Sequence, residues 1–126
     1  ATLYNDLVQR SRTIAPDALS KNAKPLKLQT VDDELVLKDD TREVVLYHIA
    51  GNPHGDTLLM AYLPRERVLI QADAFSPGSS LQPYAANLLD NVKKRNLRVD
   101  RIASIHGGMA PFADLVKAVQ PATTSE

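Results

Sequence analysis

Cysteine is absent from this chain of 126 residues. That excludes a disulfide framework, a thiolate metal site and a cysteine nucleophile, and it leaves the compartment open. Neither sign of charge is in excess. Fifteen Lys and Arg stand against fifteen Asp and Glu, for a formal net charge of zero. The electrostatic footprint of a general nucleic-acid or acidic-surface binder is therefore missing. No apolar run approaches the ~20 residues that cross a bilayer as a helix. Glycine is sparse, at 5 residues, and neither a phosphate-cradling glycine loop nor a nucleophile elbow occurs. The first residues carry no charged-then-apolar leader pattern, and the start at Ala1 predicts a processed product or a piece of a longer protein.

What is present suits a globular unit: 44% hydrophobic and 24% charged residues. At roughly 150 residues per domain, one domain over residues 1–126 is expected, with a frayed polar tail at 121–126. Leu3, Tyr4, Leu7 and Val8 have helical spacing, and Ala15-Pro16 breaks the pattern. From Leu26 to Ala50 the period becomes two. It predicts a short strand through Leu26, Leu28 and Val31, a second over Leu35 to Leu37, a turn at Asp39-Asp40 and a third over Val44 to Ile49. Leu58 to Leu63 and Val68 to Ala72 are continuous apolar runs, which predicts strands buried on both faces. Ala85, Leu88, Leu89 and Val92 form the stripe of an amphipathic helix ending near Arg95. Ile102 to Ile105 reads as a last strand. Phe112, Leu115, Val116 and Val119 mark a last helix, with Pro111 suited to its first turn. The expected fold class is α/β in the α+β sense: a mixed, largely antiparallel sheet with helices on one face.

Three residues sit where strands stop and loops begin. His54 lies in the loop Gly51-Asn52-Pro53-His54-Gly55-Asp56, where side chains are free to meet a ligand. Asp73 is the first charged residue after a buried strand, a costly place for a carboxylate without a partner or a metal. His106 ends another strand before Gly107 and Gly108, which let backbone approach closely. Imidazole and carboxylate suit zinc and similar divalent ions, although a capping His and a turn Asp are equally ordinary. His48, inside a strand, reads as a half-exposed strand residue. Lys93, Lys94, Arg95, Arg98 and Arg101 form a basic cluster better explained as cations at a helix C-terminus than as a nucleic-acid face.

The run Gly51-Asn52-Pro53-His54-Gly55-Asp56-Thr57, the strand ending Tyr62-Leu63-Pro64, the segment Arg67 to Asp73 and Ile105-His106-Gly107-Gly108 together resemble the metallo-β-lactamase superfamily over residues 43 to 110. The resemblance implies the second, C-terminal half of an αββα sandwich. It also implies a two-zinc centre in which His54 ligates one metal, Asp73 bridges both and His106 ligates the other, with Gly55, Asp56, Gly107 and Gly108 in support. In such a centre a metal-activated water attacks an ester, amide, thioester or phosphoester of a small-molecule substrate. The superfamily's His-x-His-x-Asp-His signature is missing, Ala72 stands where glycine commonly precedes the aspartate, and the spacing from His54 to Gly55-Asp56 is short.

These features predict a C-terminal half separated from its N-terminal half, inactive alone, belonging to a hydrolase that uses neither nucleic acid nor a membrane. The alternative is a non-catalytic α/β interaction domain in which His54, Asp73 and His106 are structural. Half a sandwich leaves one sheet face uncovered, which predicts either a homodimer or the missing half packed there.

Overall fold

The computed structural model describes residues 2–10, 14–22, 24–25 and 27–120. They fall into two compact units, residues 1–30 and 31–126. The first contains α1 (Thr2–Gln9) and the single turn α2 (Ala18–Lys21). α1 follows the helical spacing of its apolar residues but buries none of them. α2 is started by Asp17, whose carboxylate accepts the Ser20 N–H at 2.9 Å. The expected strand through Leu26, Leu28 and Val31 is not there: residues 27–31 adopt no strand, and Leu26 lies outside the described residues, as does the tail from 121.

The second unit is a six-stranded sheet with two helices. Its elements are β1 (Glu34–Lys38), β2 (Glu43–His48), β3 (Leu59–Leu63), β4 (Val68–Gln71), α3 (Ala85–Lys94), β5 (Arg101–Ser104), β6 (Gly108–Pro111) and α4 (Phe112–Val119). The strands lie side by side in chain order, and every pairing is antiparallel except β4 with β5, which is parallel and bridged by α3. This is a mixed, mostly antiparallel α+β sheet. The Asp39-Asp40 turn is held by Asp39, whose carboxylate accepts the Thr41 hydroxyl and the Thr41 and Arg42 N–H groups and so lies below its ordinary pKa. No helix among the described residues is long and apolar enough to cross a membrane.

The main core cluster forms on one face. Met60, Tyr62, Leu69, Ile102 and Ala110 point from the sheet into a cluster with Ala85, Leu88, Leu89 and Val92 of α3 and Leu115 of α4. At the edge of this face Arg95 lies over the Tyr47 ring at 4.6 Å and donates to the Asp33 carboxylate and the His48 carbonyl. Its guanidinium holds the Asp33 carboxyl below the usual range. Arg95 is thus a packing residue as well as a helix-end cation.

By register the opposite face carries Leu35, Leu37, Val44, Leu46, Leu59, Ala61, Leu63, Ile70, Ala103 and Met109, none of them fully buried, and Val68, which is buried. The expectation that β3 is buried on both faces fails within this unit, because its burial alternates from Leu59 (exposed) to Met60 (buried). The strand β6 was not legible. Four residues, Gly-Met-Ala-Pro, carry too little pattern, and they pair only because β5 folds straight back on itself. Pro111 accordingly caps α4 from outside rather than occupying its first turn.

Leu69 is fully buried at the centre of the sheet, whereas Ile105 is 66% exposed. Leu69→Ala is expected to cost about 2–5 kcal/mol and Ile105→Ala within about 0.5 kcal/mol, as read by urea denaturation of the whole chain.

Candidate metal centre

Strand direction assembles the site. β2 and β4 both run antiparallel to β3, and β5 runs parallel to β4, so β2, β4 and β5 all end at the same edge of the sheet. His54 leaves the loop after β2, Asp73 follows β4 and His106 follows β5. The structure brings these three together. Asp73 Oδ2 lies 3.5 Å from His54 Nε2, and Asp73 Oδ1 lies 2.6 Å from His106 Nδ1. A carboxylate can only accept, so His106 Nδ1 carries the proton of that bond. All three side chains remain open to solvent, with exposures of 44%, 36% and 62% for His54, Asp73 and His106.

The His54 loop is fastened to α3 by three asparagines that the sequence reading passed over. Asn52, buried, accepts the His54 N–H at 2.9 Å and donates to Asn87 Oδ1 at 2.9 Å. Asn87 donates in turn to the carbonyls of Ala50 and Gly51. Asn91 accepts the Ala50 N–H and returns a bond to its carbonyl. Gly51 turns the chain with φ +66 beneath this ladder. A signal existed: Asn87 and Asn91 are four apart on α3, interleaved with its buried Leu88, Leu89 and Val92. The His54 ring also packs against Tyr84 just before α3, with centroids 5.3 Å apart.

Of the expected supporting residues, Gly107 is needed for space, since a Cβ there would sit 2.8 Å from Pro77 Cδ. Gly108 has φ +81 as it opens β6. Gly55 closes the loop turn through its bonds to Asn52 and Leu58 and faces open space. Asp56 serves through its backbone, its carbonyl accepting His48 Nε2 at 2.7 Å. His48 is therefore a loop anchor and stands apart from the trio.

The donor set fits a divalent ion in kind. A separation of 3.5 Å between His54 and Asp73 is about what two ligands show when each lies ~2.0–2.2 Å from one ion. The 2.6 Å contact of His106 is instead a direct hydrogen bond, which has to open before both groups face a metal. Among the described residues no group of three or more His, Cys, Asp or Glu stands disposed to hold an ion. The trio is a partial donor set.

No protein-family model matches the chain, and no curated protein sequence matches it; its likenesses are structural. The DIM-1 metallo-β-lactamase superposes with a TM-score of 0.58 at 19% identity, covering 79% of this chain and 50% of that one. TMB-1 gives 0.60 at 16% identity, covering 94% and 52%. The rubredoxin oxygen:oxidoreductase of Desulfovibrio gigas gives 0.58 at 19% identity, covering 79% and 32%. The chain has part of the metallo-β-lactamase fold and spans about half the length of the first two proteins.

Asn52→Ala strips the partner from the His54 N–H and from Asn87 Oδ1 at a buried position. A loss of roughly 1–3 kcal/mol is expected by denaturant titration, with faster amide hydrogen exchange confined to residues 50–58.

Proposed function

We propose that this chain is the C-terminal half of a metal-dependent hydrolase of the metallo-β-lactamase kind, and that His54, Asp73 and His106 are its contribution to a zinc centre. The observation that carries the reading is the convergence of these three side chains, 19 and 33 positions apart in sequence, on one carboxylate. A bound metal would supply an acidified water and a polarised substrate oxygen for cleaving an ester, amide, thioester or phosphoester. The chain's own residues do the rest. Asp73 presents one oxygen to each imidazole and so spans the centre. Its bond from His106 Nδ1 holds that ring at the site, and it is the bond that would open for both groups to take up a metal. Asn52 and Tyr84 hold the ring of His54 by its backbone and its face. With three donors and no second ligand cluster in the sequence, the isolated chain is not expected to turn over substrate.

A second reading has an observation of its own. The 2.6 Å bond between His106 and Asp73 is already satisfied without a metal, which favours a non-catalytic interaction domain whose loops are locked by a His–Asp–His bridge. Isothermal calorimetry with Zn²⁺ separates the two. Under the metal reading the chain binds the ion, Asp73→Ala weakens it by at least about tenfold, and His48→Ala leaves it unchanged. Identical titrations for the chain and Asp73→Ala would establish the structural bridge instead.

The open sheet face also belongs to this reading. Six strands at ~4.8 Å spacing and ~3.3 Å per residue make it about 24 Å by 15 Å. That is a few hundred Å² of apolar surface, the limit of what soluble monomers usually leave bare. We propose that in the isolated chain a second copy covers it, sheet on sheet, where the remainder of the hydrolase fold lies in the whole protein. Multi-angle light scattering is expected to give a dimer mass that falls to monomer in Leu46→Lys. A monomer at high concentration would refute this packing.

A further inference from the structure

The loops that carry Asp73 and His106 are fastened by one buried amide. Gln71 closes β4 two residues before Asp73, and it is 1% exposed. Its side chain is fully satisfied. Nε2 donates to the Phe75 carbonyl and to Ser104 Oγ, both at 2.7 Å. Oε1 accepts the N–H of Ala74 at 3.0 Å and of Phe75 at 3.1 Å. Ser104 closes β5 two residues before His106, and its hydroxyl donates to the same Phe75 carbonyl at 3.0 Å. A backbone bond from the Ile105 N–H to the Gln71 carbonyl at 3.0 Å runs alongside.

The turn held in this way is one that few residues adopt. Asp73 has φ +66, and the Ala74 N–H bonds back to the Ala72 carbonyl at 2.9 Å, a γ-turn centred on the aspartate. A conformation of this kind persists only where its surroundings over-determine it. Here the Gln71 oxygen takes the next two N–H groups after Asp73, while its nitrogen reaches the strand that leads to His106.

We infer that Gln71 is the positioning residue of the candidate centre: it sets the Asp73 turn and, through Ser104, fixes the distance between Asp73 and His106. Its bearing on metal binding rests on the reading of Asp73 and His106 as donors; its bearing on their mutual geometry does not. Gln71→Leu keeps most of the volume and removes the amide's bonds to the turn, while the Ser104 hydroxyl still reaches the Phe75 carbonyl. Ser104→Ala removes only the link across to β5.

The test reads two signals from the whole chain. The first is the ring tautomer of each histidine in the metal-free protein, measured by long-range ¹H–¹⁵N correlation above the histidine titration range. His106 is expected as the Nδ1–H form while Asp73 accepts its proton, and to move toward the Nε2–H form in Gln71→Leu and in Ser104→Ala. His48, whose Nε2 donates to the Asp56 carbonyl, stays as the internal control. The second signal is Zn²⁺ affinity, expected to fall about 10- to 100-fold in Gln71→Leu. A folded Gln71→Leu that loses stability but keeps the His106 tautomer overturns the inference, because glutamine would then be structural only. If Gln71→Leu does not fold, Ser104→Ala decides alone, and an unchanged tautomer overturns it. A shifted tautomer in a chain that binds no zinc upholds Gln71 and rejects the metal reading.

Discussion

The parallel pairing of β4 with β5 is the constraint on which the site depends. Five antiparallel strands in a meander would deliver alternate loops to opposite edges, and the ends of β4 and β5 would never meet. The crossover through α3 instead returns the chain to the start of the sheet before β5 begins, so both strands finish together. The same helix closes the core over Leu69 and Ile102 and presents Asn87 and Asn91 to the loop after β2. One connection therefore serves the packing, the strand order and the placement of His54. Loss of α3 packing would scatter the trio before it unravelled the hairpins.

How much of this can be read in residues follows from period and burial. α3 and α4 were legible because their apolar residues repeat at helical spacing, and β2 to β5 because aliphatic runs end at turn formers. His54, Asp73 and His106 stood out at strand ends, and it was the resemblance of the runs around them that joined them as a set. What escaped was everything held by polar bonds between distant segments. Gln71 and Ser104 look like ordinary members of strands, and nothing local marks an amide whose four bonds all lie in a turn and a neighbouring strand. β6 escaped because a strand of four residues borrows its existence from its partner. The continuous apolarity of β3 did not translate into burial on both faces. Within residues 31–120 helices cover only one of them, and the second, lacking a cover, shows as half-exposed leucines and an isoleucine.

Asp73 stands between two roles that use the same atoms. As a hydrogen-bond acceptor from His106 it stabilises a compact edge; as the metal ligand proposed above it would give that bond up. The 2.6 Å contact and the 3.5 Å contact on its two oxygens describe a carboxylate already committed on one side and open on the other. Under the proposed metal reading, His54 and Asp73 would be the pair already spaced to hold an ion. In that reading His106 would join at the expense of a satisfied bond, and affinity would depend on how rigidly the two loops are held.

The contact between Gly107 and Pro77 has a consequence for how such a chain can change over generations. With only hydrogen at position 107, the turn bearing His106 nests against the ring of Pro77, which belongs to the segment between Asp73 and α3. Any side chain at position 107 would demand a matching shift of the Pro77 segment.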